Sequence, residues 1–225
     1  MAVDHRTHAP RAVRPFSTPR PLERITGGGT SGNERLTAAT GATLLVLLAV
    51  IGVTIIQLGS LLWLHLFVGM LLIGPVALKL ASTGYRFVRY YTGEPSYRRK
   101  GPPALAPRAI APIVVISTVV VLASGVALLF AGPASRDSLL PIHKVSFIVW
   151  AAFTGVHVLA YLPRLGPELR GDHGRNSRLS GDVTGRAGRV ISLAGALVAG
   201  AVLAVLVIPE FGPWIHSSGV FHHHG

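Results

Sequence analysis

The chain has 225 residues, 50% of them apolar and only 13% charged, about half the charged share of a soluble domain. It contains no Cys, which excludes disulfide frameworks, thiolate metal sites, iron–sulfur clusters and Cys nucleophiles together. Its net charge of +12, from 21 Lys and Arg against nine Asp and Glu, points on so apolar a chain to basic loops lying against anionic lipid headgroups rather than to nucleic acid.

Residues 1–35 carry Pro10, Pro15, Pro19, Pro21 and the run Gly27-Gly28-Gly29 without apolar periodicity. They read as a disordered basic tail, because such a segment cannot bury enough surface to order itself. Five apolar runs follow, 36–58, 61–78, 109–132, 141–162 and 190–208, each approaching or exceeding the roughly 18 to 20 residues that cross a bilayer core as a helix. A signal peptide would place its apolar core nearer the start, so the first span is expected to be retained. Gln57-Leu58-Gly59-Ser60 reads as a tight turn that makes the first two spans an antiparallel hairpin. In 85–108, Tyr85, Phe87, Tyr90 and Tyr91 stand among arginines at a membrane exit, and read as an interfacial aromatic belt rather than an RNA-binding surface. Residues 163–189 form a flexible link, and in the last span Gly200 and Ala204 permit close approach of a neighbouring helix. The end, 209–225, is a His-rich tail with His216 and His222-His223-His224, a weak and unselective metal collector at most. The fold expected is all-α: a polytopic membrane protein with a four-helix transmembrane bundle over 36–162 and a fifth, C-terminal transmembrane helix.

The connecting segments divide sharply in charge. Six Arg precede residue 36, seven Lys and Arg lie between Lys79 and Arg108, and six Arg lie between Arg164 and Arg189. Only Arg136 and Lys144 fall between the third and fourth spans, and no Lys or Arg follows residue 208. The excess of basic residues on cytoplasmic loops then puts the chain in the plasma membrane with its N-terminus cytoplasmic and its C-terminus outside.

Ionisable residues inside spans are rare and usually functional, which singles out His65, His143 and His157. The second and fourth spans run in the same direction, and each reaches its first exit arginine, Arg86 or Arg164, 21 residues after His65 or His143. That is about 31 Å of helix, close to the hydrocarbon thickness, so both histidines are expected near the outer edge at matching depth. Two neutral imidazoles at one depth on facing helices are what a flat macrocycle with axial iron ligands requires. Gly69, one turn after His65, leaves room for a ring. With no Cys and no Asp or Glu in the spans, a tetrahedral zinc or carboxylate-bridged di-iron site lacks ligands. Haem b needs only what is present, with His65 and His143 as iron ligands and Arg136 and Lys144 as candidate partners for its propionates. His157 follows His143 by 14 residues on the same helix face, about 21 Å away, a spacing that suits a second, stacked haem.

With these histidines the chain resembles the integral-membrane b-type cytochromes found as formate dehydrogenase gamma subunits and hydrogenase b subunits. In that family a late helix carries two haem-binding histidines at this separation, the outer one pairing with a histidine on the second helix. The resemblance covers residues 36–162 and implies His65 and His143 as the outer pair and His157 as an inner ligand. The chain departs from the pattern in its first span, which has neither His nor Met; the residue at the depth of His157 on the second span is Lys79. One haem is therefore expected. The stretch 61–91 with Lys100-Gly101-Pro102-Pro103, together with 140–150, also resembles a group of largely uncharacterised actinobacterial membrane proteins with the same His pattern.

The function expected is a membrane-embedded b-type cytochrome that passes single electrons, as a component of a membrane oxidoreductase rather than a stand-alone enzyme, with a quinone or a redox protein as partner. No nucleophile with an adjacent base, carboxylate pair or Gly-rich nucleotide loop is present; Gly27-Gly28-Gly29-Thr30 lacks a following Lys and reads as linker. The alternative is a cofactor-free membrane scaffold or accessory subunit whose histidines bond between helices.

Overall fold

A computed structural model describes residues 28–99, 101, 105–173 and 185–219, and all regular structure among them is helical. The elements in chain order are α1 (Gly29–Ile56), α2 (Leu58–Tyr91), α3 (Pro95–Arg99), α4 (Leu105–Ala131), α5 (Arg136–His173), α6 (Arg186–Leu206) and α7 (Gly212–Gly219). Short 3-10 turns at Pro133–Ser135 and Ile208–Phe211 precede α5 and α7. Five of these helices, α1, α2, α4, α5 and α6, are long and apolar enough to cross a membrane. Their many exposed Leu, Ile and Val side chains suit a lipid surround.

The long helices form two hairpins. Residue Gln57 breaks α1 from α2, and Leu61 leaves helical geometry at φ −113° and ψ 19°, so the reversal occupies the stretch read as a turn. Between α4 and α5 the chain turns at Gly132, whose φ of 73° suits a residue without a Cβ. Within each hairpin the helices pack along their length, whereas the hairpins meet only sparsely, α1 against α5 and α2 against α4. Around this four-helix ring α2 and α5 stand on a diagonal and barely touch. We call the end with Gln57 and Gly132 the turn end, and the end with Arg86, Arg89, Arg98 and Arg99 the arginine end.

The fifth long helix, α6, packs against α2 and also meets α1. The contact is backbone to backbone. Pro75, buried inside α2, has no N–H to give the Leu71 carbonyl, and that carbonyl lies against Gly200 of α6. Reciprocally, the Ala196 carbonyl lies against Gly74. Small residues admit this approach, and a Cα–H to carbonyl contact is its reward. Ala204, fully buried, continues the seam into a cluster with Met70, Leu129, Val207 and Phe211.

Several sequence-read boundaries move. Helix α1 begins at Gly29, inside the segment read as a disordered tail. Its first turns are anchored on α2, where Asn33 Nδ2 donates to the Ser82 carbonyl at 3.0 Å and Glu34 pairs with Arg86 at 3.5 Å. Residues 1–27 lie outside the described residues. The stretch 85–91 is the last part of α2, with Phe87 and Tyr91 ring centroids 4.5 Å apart. Helix α5 runs 38 residues to His173, about 57 Å at 1.5 Å per residue, and so takes up the first part of the link read as flexible. The outer tail is likewise not a tail up to Gly219. Phe211 is buried, and Trp214 Nε1 donates to the Leu129 carbonyl at 3.3 Å, so 208–219 closes the turn end. His216 is exposed on α7, while His222, His223 and His224 lie outside the described residues.

Candidate functional site

His65 lies two turns into α2 and His143 two turns into α5, both at the turn end and both half-buried. They stand on the diagonal helices of the ring. Because α2 and α5 barely touch, the space between these side chains is not filled by a backbone contact.

Each imidazole is tied back to the preceding helix of its own hairpin. His65 Nδ1 is 2.9 Å from Thr54 Oγ1 of α1, and that hydroxyl donates to the Ile51 carbonyl at 2.7 Å. His143 Nδ1 is 3.0 Å from Ser124 Oγ of α4, and that hydroxyl donates to the Val121 carbonyl at 3.1 Å. A hydroxyl has one proton, and a carbonyl can only accept. When the hydroxyl proton goes to the carbonyl, the histidine is the donor through Nδ1–H and its Nε2 carries the lone pair; when it goes to the ring, Nδ1 accepts and Nε2 carries the proton. Thr54 is fully buried and Ser124 nearly so, so neither hydroxyl has water as a ready substitute.

Glycines shape the surroundings. Gly125 of α4 lies against the His143 ring, where a Cβ would stand 3.1 Å from Cε1, and thus lets the imidazole approach that helix. A Cβ at Gly69 would meet nothing within 4 Å. A cleft of about 250 Å³ opens between α1 and α5, walled by Leu48, Gly52 and Ile55 on one side and Phe147, Trp150 and Thr154 on the other. Phe147 and Thr154 fall close to the face of α5 that carries His143 and His157. Trp150 is held by donating Nε1–H to Thr118 Oγ1 at 2.9 Å.

Arg136 precedes His143 by seven residues, two turns of α5 that bring it to the same face about 10 Å nearer the end of the helix. Lys144 is its neighbour in sequence but points elsewhere, 100° around the helix. Both side chains are exposed.

Fourteen residues after each histidine, α2 and α5 carry Lys79 and His157. Lys79 does not reach for the helix end. Its Nζ donates to the Thr37 carbonyl at 2.7 Å and lies against Gly41 of α1. Around it, Thr37 Oγ1 donates within 2.8 Å of the Asn33 carbonyl and stands 3.0 Å from Ser82 Oγ. Thr154, one turn before His157, has a buried Oγ1 that makes no hydrogen bond.

Sequence reading thus reaches both histidines and misses Thr54 and Ser124. A signal for them exists. Reflecting His65 across a hairpin midpoint near Ser60 lands at Thr54, and reflecting His143 across one near Pro133 lands at Ser124. Among the described residues no three His, Cys, Asp or Glu side chains gather as a metal-binding group. Compared with protein-family models, curated proteins and solved structures, the chain finds no match.

Proposed function

We propose that this five-helix membrane protein is a b-type cytochrome, holding one haem b between α2 and α5 with His65 and His143 as axial ligands. The observation that supports the reading is the pair of Nδ1–hydroxyl contacts at one end of diagonal helices that barely touch; with Nδ1 as the donor in each, both Nε2 lone pairs are left to bind iron. Metal-ligating histidines are characteristically fixed in this way through their other ring nitrogen. The haem would supply reversible one-electron oxidation and reduction; the protein supplies ligand geometry, a dry low-dielectric surround and charge near the propionates. Gly69 leaves open space beside His65, and Arg136, on the His143 face, and the exposed Lys144 are the basic residues nearest that end.

The basic residues gathered at the arginine end support a cytoplasmic placement for it, with the histidine pair toward the outer face of the plasma membrane. Such a haem would exchange electrons more readily with a redox protein on that side than with a quinone deep on the other. Lys79 is less suited to hold a second haem, since its Nζ already donates to Thr37 and an ammonium has no lone pair.

One observation favours a second reading, a cofactor-free scaffold: both histidines already bond between helices, as structural histidines do. The two part on composition. Purified from haem-replete cells, the cytochrome gives a reduced low-spin b-type spectrum and one haem per chain by pyridine haemochrome. A well-folded sample without haem would remove the cytochrome reading and leave the scaffold.

A further inference from the structure

The two hairpins repeat one device. In each, a hydroxyl on the first helix stands within hydrogen-bond distance both of Nδ1 of a histidine near the start of the second and of a backbone carbonyl one turn back on its own helix. The residue types differ, Thr54 in one and Ser124 in the other, and so do the sequence separations, 11 and 19. What is common is the chemistry, a buried neutral hydroxyl at Nδ1.

We propose that Thr54 and Ser124 are positioning residues that lock His65 and His143 in the Nδ1–H tautomer, aim both Nε2 atoms at one iron, and tune its electron affinity. This rests on the haem reading above. Without the hydroxyl, either ring nitrogen can carry the proton and the ring can rotate about its Cβ–Cγ bond, so the ligand atom is neither chosen nor aimed. With it, donation of Nδ1–H raises the basicity of Nε2, which favours the more highly charged, oxidised iron. A hydroxyl does this mildly. A carboxylate in the same place would draw the proton further and bring a charge into the span, and the five apolar runs contain no Asp or Glu.

The test uses the full chain in detergent, with ¹⁵N-labelled histidine. Before haem loading, the imidazole spectra are expected to show protonated Nδ1 at His65 and His143, each resonance identified by its loss in H65A or H143A. T54V and S124A should each shift one histidine toward the Nε2–H form. After loading, the same variants should lose haem affinity by about tenfold or more, within the range typical of such partners, and should titrate at a more positive potential. About 59 mV would correspond to a tenfold change in preference between oxidation states. T54S and S124T, which keep the hydroxyl, should restore tautomer and potential, which a purely packing role would not require. Protonated Nε2 at either histidine in the unmutated protein would overturn the inference, as would folded T54V and S124A proteins with unchanged affinity and potential. If the unmutated protein takes up no haem, the haem reading falls with its potential measurement, and the tautomer spectra still decide whether the hydroxyls select Nδ1–H.

Discussion

The turn end and the arginine end of the bundle carry matching pairs of polar side chains on the same two helices, and their neighbours treat them oppositely. At the turn end, Thr54 and Ser124 engage Nδ1 of His65 and His143. At the arginine end, Lys79 donates into the Thr37 carbonyl beside Gly41, and Thr37 and Ser82 knit the same region together. On the proposed reading the first arrangement would prepare a ligand pair; the second consumes a cation in holding α1 to α2. A polar group in a membrane-length helix is therefore not read as a ligand from its type and depth alone. Which lone pairs its neighbours leave unused decides the matter.

The sharpest way to break this comparison is to remove one member from each end. H65A or H143A should abolish haem binding, from one haem per chain to none by pyridine haemochrome, with the helices still inserted; a full haem complement in either variant would refute the ligand pair. H157A and K79A should keep one haem per chain, and loss in H157A would move the site toward the arginine end.

A smaller but still large effect is expected from filling the space. Gly69→Trp adds bulk where a Cβ has open room, so the empty protein should melt close to the unmutated one while haem occupancy falls severalfold. Gly69→Ala should change neither quantity by much.

Third in size is the α2–α6 seam. A side chain at Gly74 or Gly200 would run into a backbone carbonyl of the facing helix, so G74L or G200L should destabilise the fold by about 1–3 kcal/mol or more, the usual cost of overpacking. Thermal melting in detergent would measure it. Because Gly74 and Gly200 meet each other's helix backbone and touch neither histidine, haem content at low temperature should fall less than in G69W.

The smallest effect should come from Gly41→Ala, whose Cβ would sit 3.1 Å from Lys79 Nζ. The neighbour is the end of a flexible side chain, so a shift of about 1 kcal/mol or less in stability is expected, with the haem spectrum unchanged. A spectral change would show that the arginine end takes part in binding after all.

Much of this arrangement is legible in the residues. Spans of adequate length and apolarity follow from the bilayer thickness and the rise of a helix, and the turn at Gln57 from the break between two apolar runs. The early start of α1 is hidden because Asn33 and Glu34 look like tail residues until Ser82 and Arg86 stand opposite them. The closing segment 208–219 is hidden because a short stretch around Phe211 and Trp214 has no periodicity of its own; it is held by Met70 and Leu129 from distant parts of the chain. Thr54 is hidden because a threonine in an apolar helix ordinarily bonds its own preceding turn, which it does here as well, while also meeting His65 Nδ1.

The sequence by itself determines that the chain is a bundle of five membrane-length helices with histidines at set positions along them, because the bilayer imposes one length scale and the helix one rise per residue. Only the tertiary structure decides which helices face one another across the bundle, that Pro75 frees the carbonyl on which Gly200 rests, and which nitrogen of each imidazole meets a hydroxyl. Those outcomes depend on the direction in which individual side chains and carbonyls point, and direction is fixed by neighbours far away in the chain.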